Sequence, residues 1–268
     1  MTAAAFFDLD KTIIAKSSTL AFTKPLYKAG FLSRRALGKA AVAQAYYQSF
    51  GADHDQLDRV KDELAAMTKG WSRQEVVSLV EEAVDKVVAP LAYAEALALI
   101  DGHRRAGRRV VVISASPEEI VRPLCRYLGI HDVIATRSEI GADGRYTGKI
   151  ELYAYGPAKA EAMVEMARSQ GIDLTDSYAY SDSVTDVPML EAVGHPVVVN
   201  PDADLEEIAI EREWEIRRFE SAVTFRDRMP TKTVSGAAVA GGVAAVTYWA
   251  IKARKKKACS TAIRTRRG

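Results

Sequence analysis

Ala3-Ala4-Ala5-Phe6-Phe7-Asp8-Leu9-Asp10-Lys11-Thr12 is the stretch on which the reading of this chain turns. A short apolar run, Ala3 to Phe7, ends abruptly on a carboxylate. Such a run reads as a strand buried on both faces, the kind found in parallel sheets covered by helices. Asp8 is then delivered to an edge of the sheet, with Asp10 just beyond Leu9. Two carboxylates at that separation suit a nucleophile beside a general acid/base.

Outward from this strand the pattern becomes helical. Ser33–Gln48, Asp53–Lys69, Ser72–Lys86 and Pro90–Arg105 carry apolar positions at helical spacing, as with Leu57, Val60, Leu64 and Met67. Gly30, Gly51, Gly70 and Pro90 punctuate them as helix boundaries. From Arg109 the character changes. Val110–Ile113, Val133–Thr136, Tyr178–Tyr180 and Val197–Val199 read as strands, separated by helices near Pro117–Leu128, Lys159–Ser169 and Val187–Val193. This alternation predicts an α/β fold with a doubly wound parallel sheet, and it makes the helical block an insertion after the first strand. Ile140–Ile150, with Gly141, Gly144 and Gly148, reads as a hairpin, and Trp214–Phe219 as a last edge strand.

Three polar clusters fall just after strands, where open parallel sheets bind ligands. The first holds Asp8 and Asp10. The second, Ser114-Ala115-Ser116-Pro117, offers a hydroxyl and free amides as an anion-binding corner, with Ser116 and Glu119 spaced as a capping box. The third, Ser181-Asp182-Ser183-Val184-Thr185-Asp186, sets two acids four apart, a spacing that suits a hard cation or its waters. A turn, a helix cap and an N-cap are the structural alternatives. Convergence of all three on one sheet edge favours chemistry.

In these motifs the chain resembles the haloacid dehalogenase-like hydrolase superfamily, in its phosphoserine-phosphatase-like branch with a helical cap. The DxDxT motif is Asp8, Asp10 and Thr12, and the Ser of the second motif is Ser114. The lysine of the third is Lys159 in Gly156-Pro157-Ala158-Lys159. The fourth, usually GDxxxDxxM, is Ser181-Asp182 through Met189, with Ser181 in place of Gly. The resemblance implies an Mg2+-dependent phosphomonoesterase in which Asp8 forms an aspartyl-phosphate and Asp10 is the general acid/base. It further implies that Thr12, Ser114, Ala115 and Lys159 bind the phosphoryl group, and that Asp8, Asp10, Asp182 and Asp186 hold the metal. Transfer to an acceptor alcohol, or a membrane-tethered binding module without chemistry, are the alternatives. Asp10-Lys11-Thr12 also begins the phosphorylation motif of ion-pumping ATPases, but Ile13-Ile14 stands where that motif needs Gly-Thr.

The expected organisation is a core from residues 1–16 and 101–220, a helical cap over 17–100, a linker over 221–233 and a tail. Phosphoserine phosphatases of this branch carry a Glu shortly after the first motif to hold the substrate's ammonium group. The matching stretch Ala15-Lys16-Ser17-Ser18-Thr19 has no acid, which argues against an amino-acid phosphate. Lys16, Lys24, Arg34 and Arg35 read as solvated charges, and Tyr46 and Tyr47 as packing residues. A small phosphorylated metabolite or a lipid phosphate is the expected substrate.

The chain has 268 residues and a formal net charge of +2, yet Lys252–Gly268 alone carries eight basic residues and no acid. The preceding body is net acidic, which argues against nucleic acid as a partner. Cys125 and Cys259 make neither a disulfide framework nor a metal knuckle. No basic region precedes Asp8, so the body is expected in the cytoplasm. Val234–Ile251 is rich in Ala, Val and Gly and abuts the basic run Lys252–Lys257. Its composition suits a shallow anchor better than a span, so residues 234–257 are expected to meet an anionic membrane surface.

Overall fold

All four residues of β1 (Ala4–Phe7) are buried, as the apolar run requires. The computed structural model describes residues 2–33, 62 and 65–220. Short helices α1 (Ser18–Ala21) and α2 (Thr23–Lys28) follow β1, then α3 (Arg73–Val88) and α4 (Ala94–Arg105). The α/β part runs β2 (Arg109–Pro117), α5 (Glu118–Tyr127), β3 (Asp132–Ile140), β4 (Tyr146–Leu152), α6 (Pro157–Gln170) and β5 (Tyr178–Ser181). A 3-10 turn (Val184–Asp186), α7 (Val187–Glu191), β6 (His195–Val199), α8 (Ala203–Glu211) and β7 (Glu215–Arg217) complete it.

The strands form one sheet in the order β4-β3-β2-β1-β5-β6-β7. Neighbours run parallel except β3 and β4. From the central β1 the chain builds outward on the β2 side, then returns to build the β5 side. β1 is thus the point where winding reverses, and a crevice opens beyond its carboxyl end at such a point. The period of two along β1 sorts its side chains. Phe7 packs with Val80, Ile100 and Leu124 on one face, whereas Phe6 packs with Met163, Met189 and Leu190 on the other. Phe7 stacks on Tyr180 across the sheet, with ring centroids 4.3 Å apart.

Local chemistry explains the helices that cover this sheet. Ser72 caps α3 by accepting from the Glu75 amide, and Val76, Val80, Val84 and Val88 bury one stripe at a spacing of four. The start of α3 is also laced to the β3–β4 hairpin. The Gly70 amide donates to Tyr146 C=O at 2.9 Å, Tyr146 to Trp71 at 3.0 Å, and Arg73 to Gly144 at 3.1 Å.

Two expectations need correction. Ser114–Ser116 does not lie in a turn after a short strand, because β2 continues to Pro117 with a register irregularity between Ser114 and Pro117. Nor does the capping box form. Pro117 is the N-cap of α5 and makes no side-chain bond, because the Ser116 hydroxyl is drawn to Asp10 and the Glu119 carboxylate to Arg73. The hairpin and the edge strand do form, and β3 runs on to Ile140 to make the hairpin. α8, capped by Asp202 on the Leu205 amide, was not expected.

The expected helix Ser33–Gln48 beyond Ser33, the expected helix Asp53–Lys69 except residues 62 and 65–69, and everything from residue 221 on lie outside the described residues, as do Arg34, Arg35, Tyr46, Tyr47 and Cys259. Among the described residues no helix is long and apolar enough to cross a membrane. Cys125 is buried, and burial holds its thiol well above the ordinary range.

Candidate active site

Asp8 follows β1 directly, and its amide donates to Tyr180 C=O at 2.9 Å, so the β1–β5 pairing carries through to the site. The chain then turns tightly. Ile13 and Ile14 amides both donate to Leu9 C=O, at 3.0 and 3.1 Å, and Lys11 takes a left-handed φ of 61°. Leu9, Ile13 and Ile14 are drawn into the core while Asp8 and Asp10 serve the crevice. Thr12 is fully buried and its hydroxyl has no hydrogen-bond partner.

Lys159 arrives from the other side of the sheet edge. Gly156, at φ 55° and ψ −130°, adopts a conformation strained for any side chain, and Pro157 opens α6. This places buried Lys159 in the first turn, with Nζ 2.6 Å from Asp8 Oδ1 and 2.8 Å from Asp186 Oδ2. Asp186 ends the 3-10 turn after β5 and accepts at Oδ2 from the Ser181 hydroxyl at 2.7 Å. Its Oδ1 is buried with no partner. Asp182 lies between, with Lys11 Nζ 3.6 Å from its Oδ2.

Asp10 forms a second group. Its Oδ1 accepts from the Ser18 amide at 2.8 Å and its Oδ2 from the Ser116 hydroxyl at 3.0 Å. Ser114 is linked to it through Ser116, whose amide donates to Ser114 Oγ at 3.2 Å. Ala115 is oriented by its carbonyl, which accepts from the Thr136 hydroxyl at 2.7 Å.

The structure thus brings Asp8, Lys159 and Asp186 into direct contact, sets Asp182 against Lys11, and joins Asp10 to Ser114 through one intervening residue, Ser116, whose hydroxyl serves Asp10 and whose amide serves Ser114. Thr12 and Ala115 make no direct bond to the carboxylates. Ser18, Ser116 and Ser181 were not singled out as contributors. Ser116 and Ser181 lay inside quoted motifs, and Ser181 was visible as a departure from Gly, but no local pattern marked Ser18. A groove lined by Tyr178, His195, Arg212 and Trp214 lies at the amino ends of β5 and β6 and takes in none of these groups.

Burial is the main force on the charges here. It pushes the Asp8 carboxyl well above its ordinary range; Lys159 pulls it back, and Asp186, Asp10 and Asp182 push it further up. Burial likewise raises Asp182 to about 6, with Lys11 opposing and Asp186 adding. Burial disfavours charge on Lys159, yet Asp8 and Asp186 keep its ammonium above the usual range. Several crowded carboxylates therefore share one buried cation. Among the described residues no three acidic, histidine or cysteine side chains form a ready cage for a metal. The donors are nonetheless all oxygens, the kind a hard cation takes, and Asp186 Oδ1 is a buried acceptor with nothing to bind.

A doubly wound sheet with acids, hydroxyls and a buried lysine at its switch point defines a hydrolase site of the phosphoryl-transfer kind. Residues 5–191 match the model of the haloacid dehalogenase-like hydrolases. The chain is 50% identical over 252 residues to a probable phosphatase of Mycobacterium tuberculosis, covering 91% of this chain and 88% of that one. It is 36% identical over 249 residues to a phosphoserine phosphatase of the same organism, covering 92% and 80%. A solved structure from Bordetella pertussis, titled as a protein of unknown function, superimposes with a TM-score of 0.72 at 29% identity, covering 81% of this chain and 99% of that one. The chain belongs to the haloacid dehalogenase-like hydrolase family, and it is an enzyme of the phosphatase type.

Proposed function

We propose that the protein hydrolyses small phosphate monoesters in two steps through an aspartyl-phosphate on Asp8. The observation that carries this is the buried contact of Lys159 with both Asp8 and Asp186 at the switch point. A carboxylate must be ionised to attack phosphorus; burial holds the Asp8 carboxyl well above its ordinary range, and the adjacent ammonium opposes that shift without cancelling it. Lys159, the Ser114 hydroxyl, Thr12 and the Ala115 backbone would hold the phosphoryl oxygens as charge redistributes. Asp10 gives its proton to the leaving oxygen, then takes one from the water that cleaves the phosphorus–oxygen bond to Asp8.

Asp8, Asp182, Asp186 and the Asp10 backbone carbonyl would hold Mg2+, which supplies charge neutralisation between carboxylates and phosphate. The unpartnered Asp186 Oδ1 supports this assignment. Residues 17–100, the expected cap, would exclude water and read the leaving group. A relative named phosphoserine phosphatase brings that substrate into view, but the absence of an acid in Ala15–Thr19 favours a phosphate ester without an ammonium group beside the ester.

The test is Mg2+-dependent phosphate release from p-nitrophenyl phosphate by the full chain. Asp8→Asn is expected to remove turnover below about one part in a thousand of wild type, since the nucleophile has no substitute. Retained turnover in that variant would overturn the mechanism.

A further inference from the structure

Asp10 is gripped at both carboxylate oxygens, one grip coming from the Ser18 amide and the other from the Ser116 hydroxyl. A hydroxyl has one proton and two lone pairs. Both lone pairs of Ser116 are engaged, by the hydroxyl of Ser18 at 2.9 Å and that of Thr19 at 3.0 Å. The proton of Ser116 has one direction left, toward Asp10. Ser18 and Ser116 are buried, so water does not compete for these bonds. The two halves of the grip come from separate parts of the chain. Ser116 stands on the irregular end of β2, where the break in register with β3 falls between Ser114 and Pro117. Ser18 and Thr19 open α1, the first helix after Asp10.

We propose that Ser116 is a positioning residue for the second chemical step. It fixes the Asp10 carboxylate so that the carboxylate meets the attacking water. In that step the water oxygen bonds phosphorus, its proton passes to Asp10, and the bond from phosphorus to the Asp8 oxygen breaks to release inorganic phosphate and a free Asp8 carboxylate. The inference rests on the acid/base reading of Asp10. It assigns Ser116 a role that a helix-capping serine lacks, and it gives Ser18 and Thr19 the supporting role of orienting the Ser116 proton.

The experiment uses the full chain with Mg2+ and p-nitrophenyl phosphate, whose leaving group departs without a proton. Forming the aspartyl-phosphate then makes little demand on Asp10, while its hydrolysis does. Ser116→Ala is expected to lower kcat about tenfold and KM in parallel, leaving kcat/KM within about twofold of wild type. Ser116→Thr, which keeps the hydroxyl, is expected to recover most of kcat. Unchanged kcat in Ser116→Ala would overturn the inference. So would a fall in kcat/KM as large as the fall in kcat, which marks damage to phosphate binding, and so would failure of the threonine variant to recover. Should Ser116→Ala not fold, Ser18→Ala and Thr19→Val remove the two donors to Ser116 singly. Each is expected to give a smaller, parallel fall in kcat and KM, and no change in either variant counts against the relay. Asp10→Asn separates the two claims. Wild-type kcat in that variant removes the acid/base reading itself, whereas a slow Asp10→Asn beside a normal Ser116→Ala removes only the role of Ser116.

Discussion

Lys159 is the residue on which the site's balance of charge depends. Removing it leaves Asp8 and Asp186 facing one another in a buried place without their shared cation. Lys159→Ala is therefore expected to lower stability by about 3–5 kcal/mol as well as abolish turnover, readable as a shift in the urea midpoint. Ser181→Gly, which restores the residue common in this motif, removes a hydroxyl donor to Asp186 and frees the backbone. A loss of about 1 kcal/mol and a modest drop in kcat are expected. His103 gives the pH dependence. It is buried, its Nε2 lies 2.7 Å from the Tyr180 hydroxyl, and burial lowers its pKa from 6.5 to about 4. The unfolded chain thus binds a proton between about pH 6.5 and 4 that the folded chain refuses, so stability falls as pH drops through that window. The contribution reaches at most about 3 kcal/mol, and His103→Gln is expected to flatten it in urea titrations at pH 7, 6 and 5. At this scale the sequence was informative about acids and the lysine, because their motifs are contiguous. It was silent about Ser18, whose contact with Asp10 depends on how the chain folds back after Thr12.

Elements decide where those residues stand. α6 is capped by Gly156 in a conformation that side chains rarely adopt, and only two residues separate that glycine from the site lysine. Gly156→Ala is expected to cost about 1–3 kcal/mol in strain, measured by chemical denaturation, and to lower kcat by displacing the helix start. β1, β5 and β6 were legible because unbroken apolar runs announce strands buried on both faces. The far end of β2 was not. Ser114, Ala115 and Ser116 lack the apolar or β-branched character of a strand, and neighbouring β3 rather than local preference holds them extended. The capping box failed for a related reason. Ser116 and Glu119 had the right spacing, but tertiary partners outbid the local bond, Asp10 for one and Arg73 for the other.

For the molecule as a whole, the proposed hold of Mg2+ by the acid-rich switch point predicts a gain in stability on adding the cation. Mg2+ at about 100 times its dissociation constant is expected to add about 2.7 kcal/mol, seen as a rise in melting temperature that a chelator reverses. Asp186→Asn should blunt that rise, since it takes away the unpartnered oxygen. The parallel, doubly wound sheet followed from alternating strands and helices, whereas its strand order, β4-β3-β2-β1-β5-β6-β7, came from the structure. The lacing of Gly70–Arg73 to Gly144–Tyr146 could not, because two segments so far apart carry no shared periodicity. That lacing has a consequence for how the family diversifies. The hairpin and the entry to α3 are one inheritable part, so a cap exchanged between relatives without its matching hairpin would arrive with its backbone donors unanswered. Substrate range in such chimeras should track the pair together and not the cap alone.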